Sequence, residues 1–247
     1  MQDRHSAPVI IIGAHRSGTT ATAHALELLG LQIGQDLDSH REPRGLQKLH
    51  EDYLRKLGAA WYSPQPFLKS IETAEGKRDC VAYLRQNLER DFARILGYRA
   101  NPRGVWLRLR KKFGARWGWK EPRTTLFAPA WLEIFPDARF VHVVRDSLAA
   151  AESIRERELK FQAGGDPPTG NLSDLNYCQQ VVQDYLGAAE RLAKSPNYYR
   201  FQFEQLQANP PAMLEQIAKF CGLRVTTGDL AAAAASIRPA RVRSTIP

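Results

Sequence analysis

The sequence predicts an α/β fold of three layers, a central, mostly parallel sheet flanked by helices. Three observations point there. Short β-branched apolar runs at 8–13 (PVIIIG) and 139–144 (RFVHVV) suit strands covered on both faces. Helix-period stretches alternate with them, the pattern of parallel strands joined by crossover helices. No Pro/Gly/Ser-rich linker divides the 247 residues, so one domain over 1–247 is expected, with 1–7 a flexible N-terminus and 240–247 a C-terminal tail.

Taken in order, the strand at 8–13 runs into glycine and small polar residues and then a helix over 20–29 (TATAHALELL). A polar stretch, 35–45 (QDLDSHREPRG), precedes a helix near 47–57, and a long amphipathic helix covers about 78–96. A strand at 115–119 (ARWGW) ends at Lys120-Glu121-Pro122, where the proline turns the chain. Thr124 or Thr125 is positioned to cap the next helix, which reaches Ile134. After the strand 139–144, Asp146-Ser147 caps a helix over 148–157. The loop 164–170 (GGDPPTG) reads as the most flexible segment and a candidate cover for a substrate. A helix at 175–193, a strand at 198–203 and a helix at 211–220 complete the alternation, and 231–235 is a helix-favouring alanine run.

Lys and Arg number 35 against 26 Asp and Glu, a net charge of +9, which suits either an anionic partner or simple solubility. The densest basic stretch, 103–120, lacks the interleaved aromatics of a nucleic-acid platform, so no nucleic acid is expected. Cys80, Cys178 and Cys221 are odd in number and far apart, which gives neither a disulfide framework nor paired metal-ligand spacing. No apolar run approaches the roughly 20 residues of a membrane span, and the opening MQDRHSA leads straight into a strand. A cytoplasmic protein without a membrane partner is the expectation.

Gly13-Ala14-His15-Arg16-Ser17-Gly18-Thr19-Thr20 lies between the first strand and the first helix, where backbone N–H groups of a tight turn and a helix N-terminus converge on an anion. The spacing is that of the P-loop G-x-x-x-x-G-K-[ST], with Thr19 in the lysine slot. That lysine serves the β- and γ-phosphates in a kinase, so its absence counts against one. Arg16 supplies a cation whose fork suits phosphate or sulfate oxygens.

With these residues the sequence resembles the sulfotransferases that use 3′-phosphoadenosine 5′-phosphosulfate (PAPS). Arg16-Ser17-Gly18-Thr19-Thr20 is similar to that family's 5′-phosphosulfate loop, with His15 in place of its proline. Phe140 to Asp146 resembles the family's strand ending in Arg-Asp, and Ser153 stands eight positions after Arg145, where the 3′-phosphate serine belongs. Arg157, one helical turn further on, shares that face. Phe203-Glu204-Gln205-Leu206, with Asn209-Pro210 and Phe220-Cys221-Gly222-Leu223, resembles a third segment, Phe203 replacing the tyrosine that approaches the adenine. Stacking survives that exchange and the phenolic hydrogen bond does not. Trp119-Lys120-Glu121-Pro122 resembles the tyrosylprotein sulfotransferase branch and its bacterial relatives, whose Lys-x-Pro lysine stabilises the transferring group. Arg243-Ser244-Thr245 is similar to that branch's segment closing over the cofactor, in which Arg241 and Arg243 are phosphate ligands, unless 240–247 is a loose tail.

The resemblance implies PAPS as donor, PAP (3′-phosphoadenosine 5′-phosphate) as product and no metal, with Arg16 and Lys120 balancing charge in an in-line transfer. It places the base in a Glu-x-Arg context, for which Glu42-Pro43-Arg44 is the nearest equivalent. His40 is the next candidate base, then His50 and Glu51, which also read as exposed positions on a solvated helix face; Glu42 itself would be structural if paired with Arg41 or Arg44. The acceptor is a small-molecule, carbohydrate or lipid hydroxyl, or an amine. Trp61, Tyr62, Phe67 and Trp106 either shape its pocket or belong to the core. The alternatives are a P-loop kinase or nucleotide hydrolase, and a non-enzymatic polyanion binder using the basic 103–112 cluster. Oligomeric state is not legible.

Overall fold

The apolar run after Pro8 becomes β1 (Val9–Ile12), the middle strand of a five-stranded parallel sheet in a computed structural model that describes residues 7–97 and 116–239. β1 pairs on one side with β3 (Trp117–Lys120) and on the other with β4 (Arg139–Val144); β2 (Gln32–Ile33) and β5 (Tyr198–Gln202) form the edges, giving the order β2-β3-β1-β4-β5. All four β1 side chains are wholly buried, and the two-residue period divides them. Ile10 and Ile12 join Trp119, Phe127 and Trp131 on one face, while Val9 and Ile11 join Leu26, Val141 and Val143 on the other. That double burial is why the strand reads as continuously apolar.

One layer contains α2 (Arg44–Lys56), α3 (Gln65–Glu72), α4 (Ala74–Ile95), α5 (Thr124–Ile134), α6 (Ser147–Ala163) and α7 (Leu175–Glu190); the opposite layer contains α1 (Thr19–Leu28), α8 (Phe203–Ala208), α9 (Pro210–Cys221) and α10 (Thr227–Ala235). Gly118 lets β3 approach β1, since a Cβ there would stand 1.8 Å from the Val9 carbonyl oxygen. Cys80, Cys178 and Cys221 are buried free thiols, with burial raising each pKa. Among the described residues no helix is long and apolar enough to cross a membrane.

Several elements differ from expectation for local reasons. β2 is an edge strand of two residues, too short to show a period. The helix α3, which the sequence pattern does not announce, carries Pro66 in its first turn, where the missing N–H costs nothing. The strand expected at 198–203 stops at Gln202, which forms a capping box with Gln205, so Phe203 opens α8. Neither Thr124 nor Thr125 caps α5, whose N-cap position is Arg123. The buried Glu121 carboxylate instead accepts the Arg123 and Thr124 amides at 3.1 and 3.0 Å. Asp146 caps α6 as expected, accepting from the Ala149 amide at 2.8 Å. Residue 115, Trp106 and the basic 103–112 cluster lie outside the described residues.

Candidate active site

The carboxyl ends of β1, β3 and β4 meet where the connections leave the sheet in opposite directions, the position at which parallel sheets open a crevice. The β1 loop is built for close approach. Gly13 has φ +152°, and a Cβ there would lie 2.4 Å from the Val143 carbonyl oxygen. The Thr125 hydroxyl clasps the same residue, accepting its N–H at 2.9 Å and donating to its carbonyl at 3.1 Å. Arg16 takes a left-handed conformation, φ 68°. Gly18 follows at φ +97°, and the Phe203 ring lies so close that a Cβ would come within 2.3 Å of it. α1 then starts with no side-chain cap and no acid in its first turn, leaving its N–H groups and positive dipole end for an anion.

A cleft of about 600 Å³ opens over this N-terminus, lined in part by Arg16, Gly18, Thr19, Thr20, Arg145 and Phe203, with Arg157 and Glu42 further along. Arg145, at the end of β4, donates to the Arg16 carbonyl at 3.1 Å, and Arg16 Nε donates to Ser153 Oγ at 3.0 Å. The loop, the β4 end and α6 are thereby joined. The Arg157 guanidinium lies over the Trp61 ring, 5.3 Å from its centroid. Burial and the nearby Arg16 lower the Arg157 pKa. Ser17 lies under the loop, its hydroxyl buried without a partner. Among the described lining residues five arginines face one carboxylate, so the cleft favours a multiply anionic guest.

That carboxylate is Glu42. Its Oε1 accepts from Lys120 Nζ at 2.7 Å and its Oε2 from Gln47 Nε2 at 2.7 Å; Lys120 also donates to Thr20 Oγ1 at 3.2 Å. Lys120 is wholly buried and Glu42 is 5% exposed. Burial pushes the Glu42 pKa up against the opposing pull of the ammonium, and burial lowers that of Lys120. Arg41 and Arg44 are not its partners: Arg41 bonds Glu27, and Arg44 lies 3.9 Å from Asp36. The 78-residue separation hides this pair from any sequence window.

His50 and Glu51 do not share a solvated face. His50 is wholly buried, its Nδ1 2.7 Å from Glu121 Oε2 and its Nε2 accepting from Trp131 Nε1 at 3.1 Å. An indole N–H only donates, so Nε2 carries no proton and Nδ1–H points to Glu121. Both nitrogens are committed away from the cleft. Glu51 binds Arg123 Nη2 at 2.6 Å, and Arg123 Nη1 lies 2.6 Å from Glu121. Arg123 and the His50 hydrogen bond hold the Glu121 pKa far below the usual carboxylate range against its burial. His40 lines the cleft, exposed, with Nδ1 3.0 Å from Ser39 Oγ.

Phe67 is core, whereas Trp61 is half-buried against His15, and Tyr62 packs beneath Gly170. The loop 164–170 does not line this cleft; the buried Glu158 accepts the Thr169 amide at 2.7 Å and ties its end to α6. Sequence reasoning missed His24, Gln207, Ser236 and Arg238, which also line the cleft and which no local motif marks. Arg241, Arg243, Ser244 and Thr245 lie outside the described residues. Among the described residues no group of three His, Cys, Asp or Glu is placed to hold a metal ion.

A model described as the Sulfotransferase family matches residues 8–227. No curated protein matches the chain. Among solved structures it is similar to sulfotransferase STF9 from Mycobacterium avium, at 17% identity and TM-score 0.51, over 92% of this chain and 66% of that one. It is also similar to a sulfotransferase domain from the curacin biosynthetic pathway, at 18% and 0.52 over 94% and 83%. Mouse sulfotransferase SULT7A1 complexed with PAP matches at 13% and 0.50 over 94% and 64%. The chain thus spans about two-thirds of the length of the mycobacterial and mouse proteins, and at these identities the likeness concerns the fold.

Proposed function

The chain belongs to the Sulfotransferase family, and on that premise we propose that it transfers a sulfuryl group from PAPS to the hydroxyl of a small-molecule, carbohydrate or lipid acceptor, or to an amine. The observation that carries this reading is the Glu42–Lys120 pair, 2.7 Å apart, whose carboxylate faces an arginine-lined cleft at an uncapped helix N-terminus while the lysine lies buried behind it. The chemistry of that cleft fits the donor. Arg16 and the N–H groups of Gly18, Thr19 and Thr20 suit the 5′ anion, Arg145, Ser153 and Arg157 the 3′-phosphate, and the Phe203 ring the base. Bound there, PAPS supplies an activated sulfuryl group and leaves as PAP.

The chain's own residues do the rest. Glu42 takes the acceptor proton as the acceptor oxygen bonds to sulfur and the bond from sulfur to the phosphate oxygen breaks, its electron pair leaving with PAP. Lys120 and Arg16 balance negative charge on the two sides of the transfer. Arg243 and Ser244 complete the site if the C-terminal tail closes over it.

A thermal-shift comparison tests the donor assignment. At a hundred times Kd, PAP adds about 2.7 kcal/mol, roughly 5–10 °C for a chain of this size, whereas Mg-ATP adds little. Arg145→Ala removes a charged partner of the anion and weakens PAP binding about 10- to 100-fold by calorimetry. Stabilisation by Mg-ATP alone, or unchanged PAP affinity in the variant, contradicts the assignment.

A further inference from the structure

We infer that Asp38 and Gln47 are positioning residues for sulfuryl transfer, holding the Glu42 carboxylate at the cleft once Lys120 has turned to the transferring group; this rests on the function proposed above. Neither Asp38 nor Gln47 lines the cleft, so both act through Glu42.

The two oxygens of Glu42 have separate holders. Lys120 Nζ takes Oε1 and Gln47 Nε2 takes Oε2, each at 2.7 Å. Lys120 is already shared with Thr20 at the phosphate-loop helix, 3.2 Å away, and its proposed role draws it further that way. Oε1 then regains a lone pair for the acceptor proton. With Lys120 as its sole holder, the carboxylate would lose its orientation at that moment.

Gln47 prevents this because its amide nitrogen carries two hydrogens. One meets Glu42 and the other Asp38 Oδ2 at 2.9 Å; both partners accept only, so the NH₂ orientation follows from chemistry. Asp38 Oδ1 in turn accepts the backbone N–H groups of His40 and Glu42, both at 2.8 Å. The Asp38 N–H donates to the Glu42 carbonyl at 2.9 Å, closing the turn from both ends. Arg41, inside that turn, is held at φ 63° and anchored to Glu27 of α1. The side chain and backbone of Glu42 are therefore fixed by groups that do not take part in charge transfer.

The prediction concerns how Glu42 titrates. The charged and titratable groups around it are Lys120, Glu121 and Arg123 at the β3–α5 turn, Asp38 in its own turn, Arg157 on α6 and Tyr185 on α7. Gln47 donates to the ionised form, so its loss favours the protonated one. In PAP-saturated protein labelled with carboxyl-¹³C glutamate, the Glu42 resonance is identified by its loss in Glu42→Gln. Gln47→Met, similar in length without the donor, is expected to raise the Glu42 midpoint by about one pH unit, with PAP affinity held within about twofold. With labelled PAPS and a hydroxyl acceptor selected by screening, kcat should fall roughly tenfold at neutral pH and the acid limb of its pH profile should rise in step. The KM for PAPS should hold. An unmoved midpoint in folded, PAP-binding Gln47→Met overturns the inference. Should that variant not fold, the isosteric Gln47→Glu replaces the donor by an acceptor; an unmoved acid limb there overturns it equally. Failure of the wild type to bind PAP or to turn over PAPS is a different result, which removes the functional reading whatever the Gln47 midpoint does.

Discussion

Glu42→Gln is expected to lower kcat by about 10²- to 10⁴-fold, the range for loss of a general base, while PAP affinity stays within about twofold. The separation of the two effects is the informative part. Glu42 is 5% exposed and its oxygens are occupied by Lys120 and Gln47, so the isosteric amide fills the same space. The donor contacts assigned to Arg16 and Arg145 in the cleft, and to Ser153 bonded to Arg16, do not involve Glu42 and are untouched. Proton acceptance is removed, together with the counter-charge of the buried Lys120, and neither change reaches the donor contacts. The pH profile provides a second reading: a base must be ionised, and burial pushes the Glu42 pKa above the usual carboxylate range. Activity in the wild type should therefore fall as pH drops through a midpoint above the ordinary glutamate value, and that acid limb should vanish from the residual activity of Glu42→Gln. Rapid turnover in the variant, measured as PAP release, would transfer the role to His40.

Lys120→Met should have an effect of similar size by a different route. The methionine fills most of the wholly buried lysine site but brings no charge. Loss of one preorganised charge on the transferring group predicts a fall in kcat of about 10²- to 10³-fold. Stability should fall too, by about 3 kcal/mol, because Glu42 keeps its burial and its neighbour Glu121 but loses the ammonium. Urea unfolding of Lys120→Met and of the double variant with Glu42→Gln separates the two losses. Neutralising Glu42 as well should restore most of the stability and none of the turnover. Equal instability in single and double variants would mean that the lysine acts through packing, and the charge argument would fail.

The parts of the site that were legible are those whose residues are close in sequence. Gly13 to Thr20 reads as an anion turn because glycines, an arginine and hydroxyl residues stand between an apolar strand and a helix. The Arg145–Ser153 spacing reads in the same way. Structure adds that Arg16 Nε bonds Ser153 and that Arg145 bonds the Arg16 backbone, so two motifs 129 positions apart form one unit. Thr125 illustrates the opposite case. Local rules offer it as a helix cap, but its hydroxyl clasps Gly13, and a buried carboxylate from Glu121 serves the helix. His50 likewise reads as a surface residue on α2 until Glu121 and Trp131 are brought against it.

The alternation of apolar runs and amphipathic helices was sufficient by itself to determine the layered parallel sheet, because burial on both faces of β1 imposes a pattern within four residues. The same local spacing determined which residues form the anion turn. Only the tertiary structure decided that Glu42 meets Lys120 rather than Arg41 or Arg44. The reason is electrostatic: at positions this deeply buried, a carboxylate and an ammonium persist only where the fold brings both together with further donors, and sequence distance carries no information about that meeting.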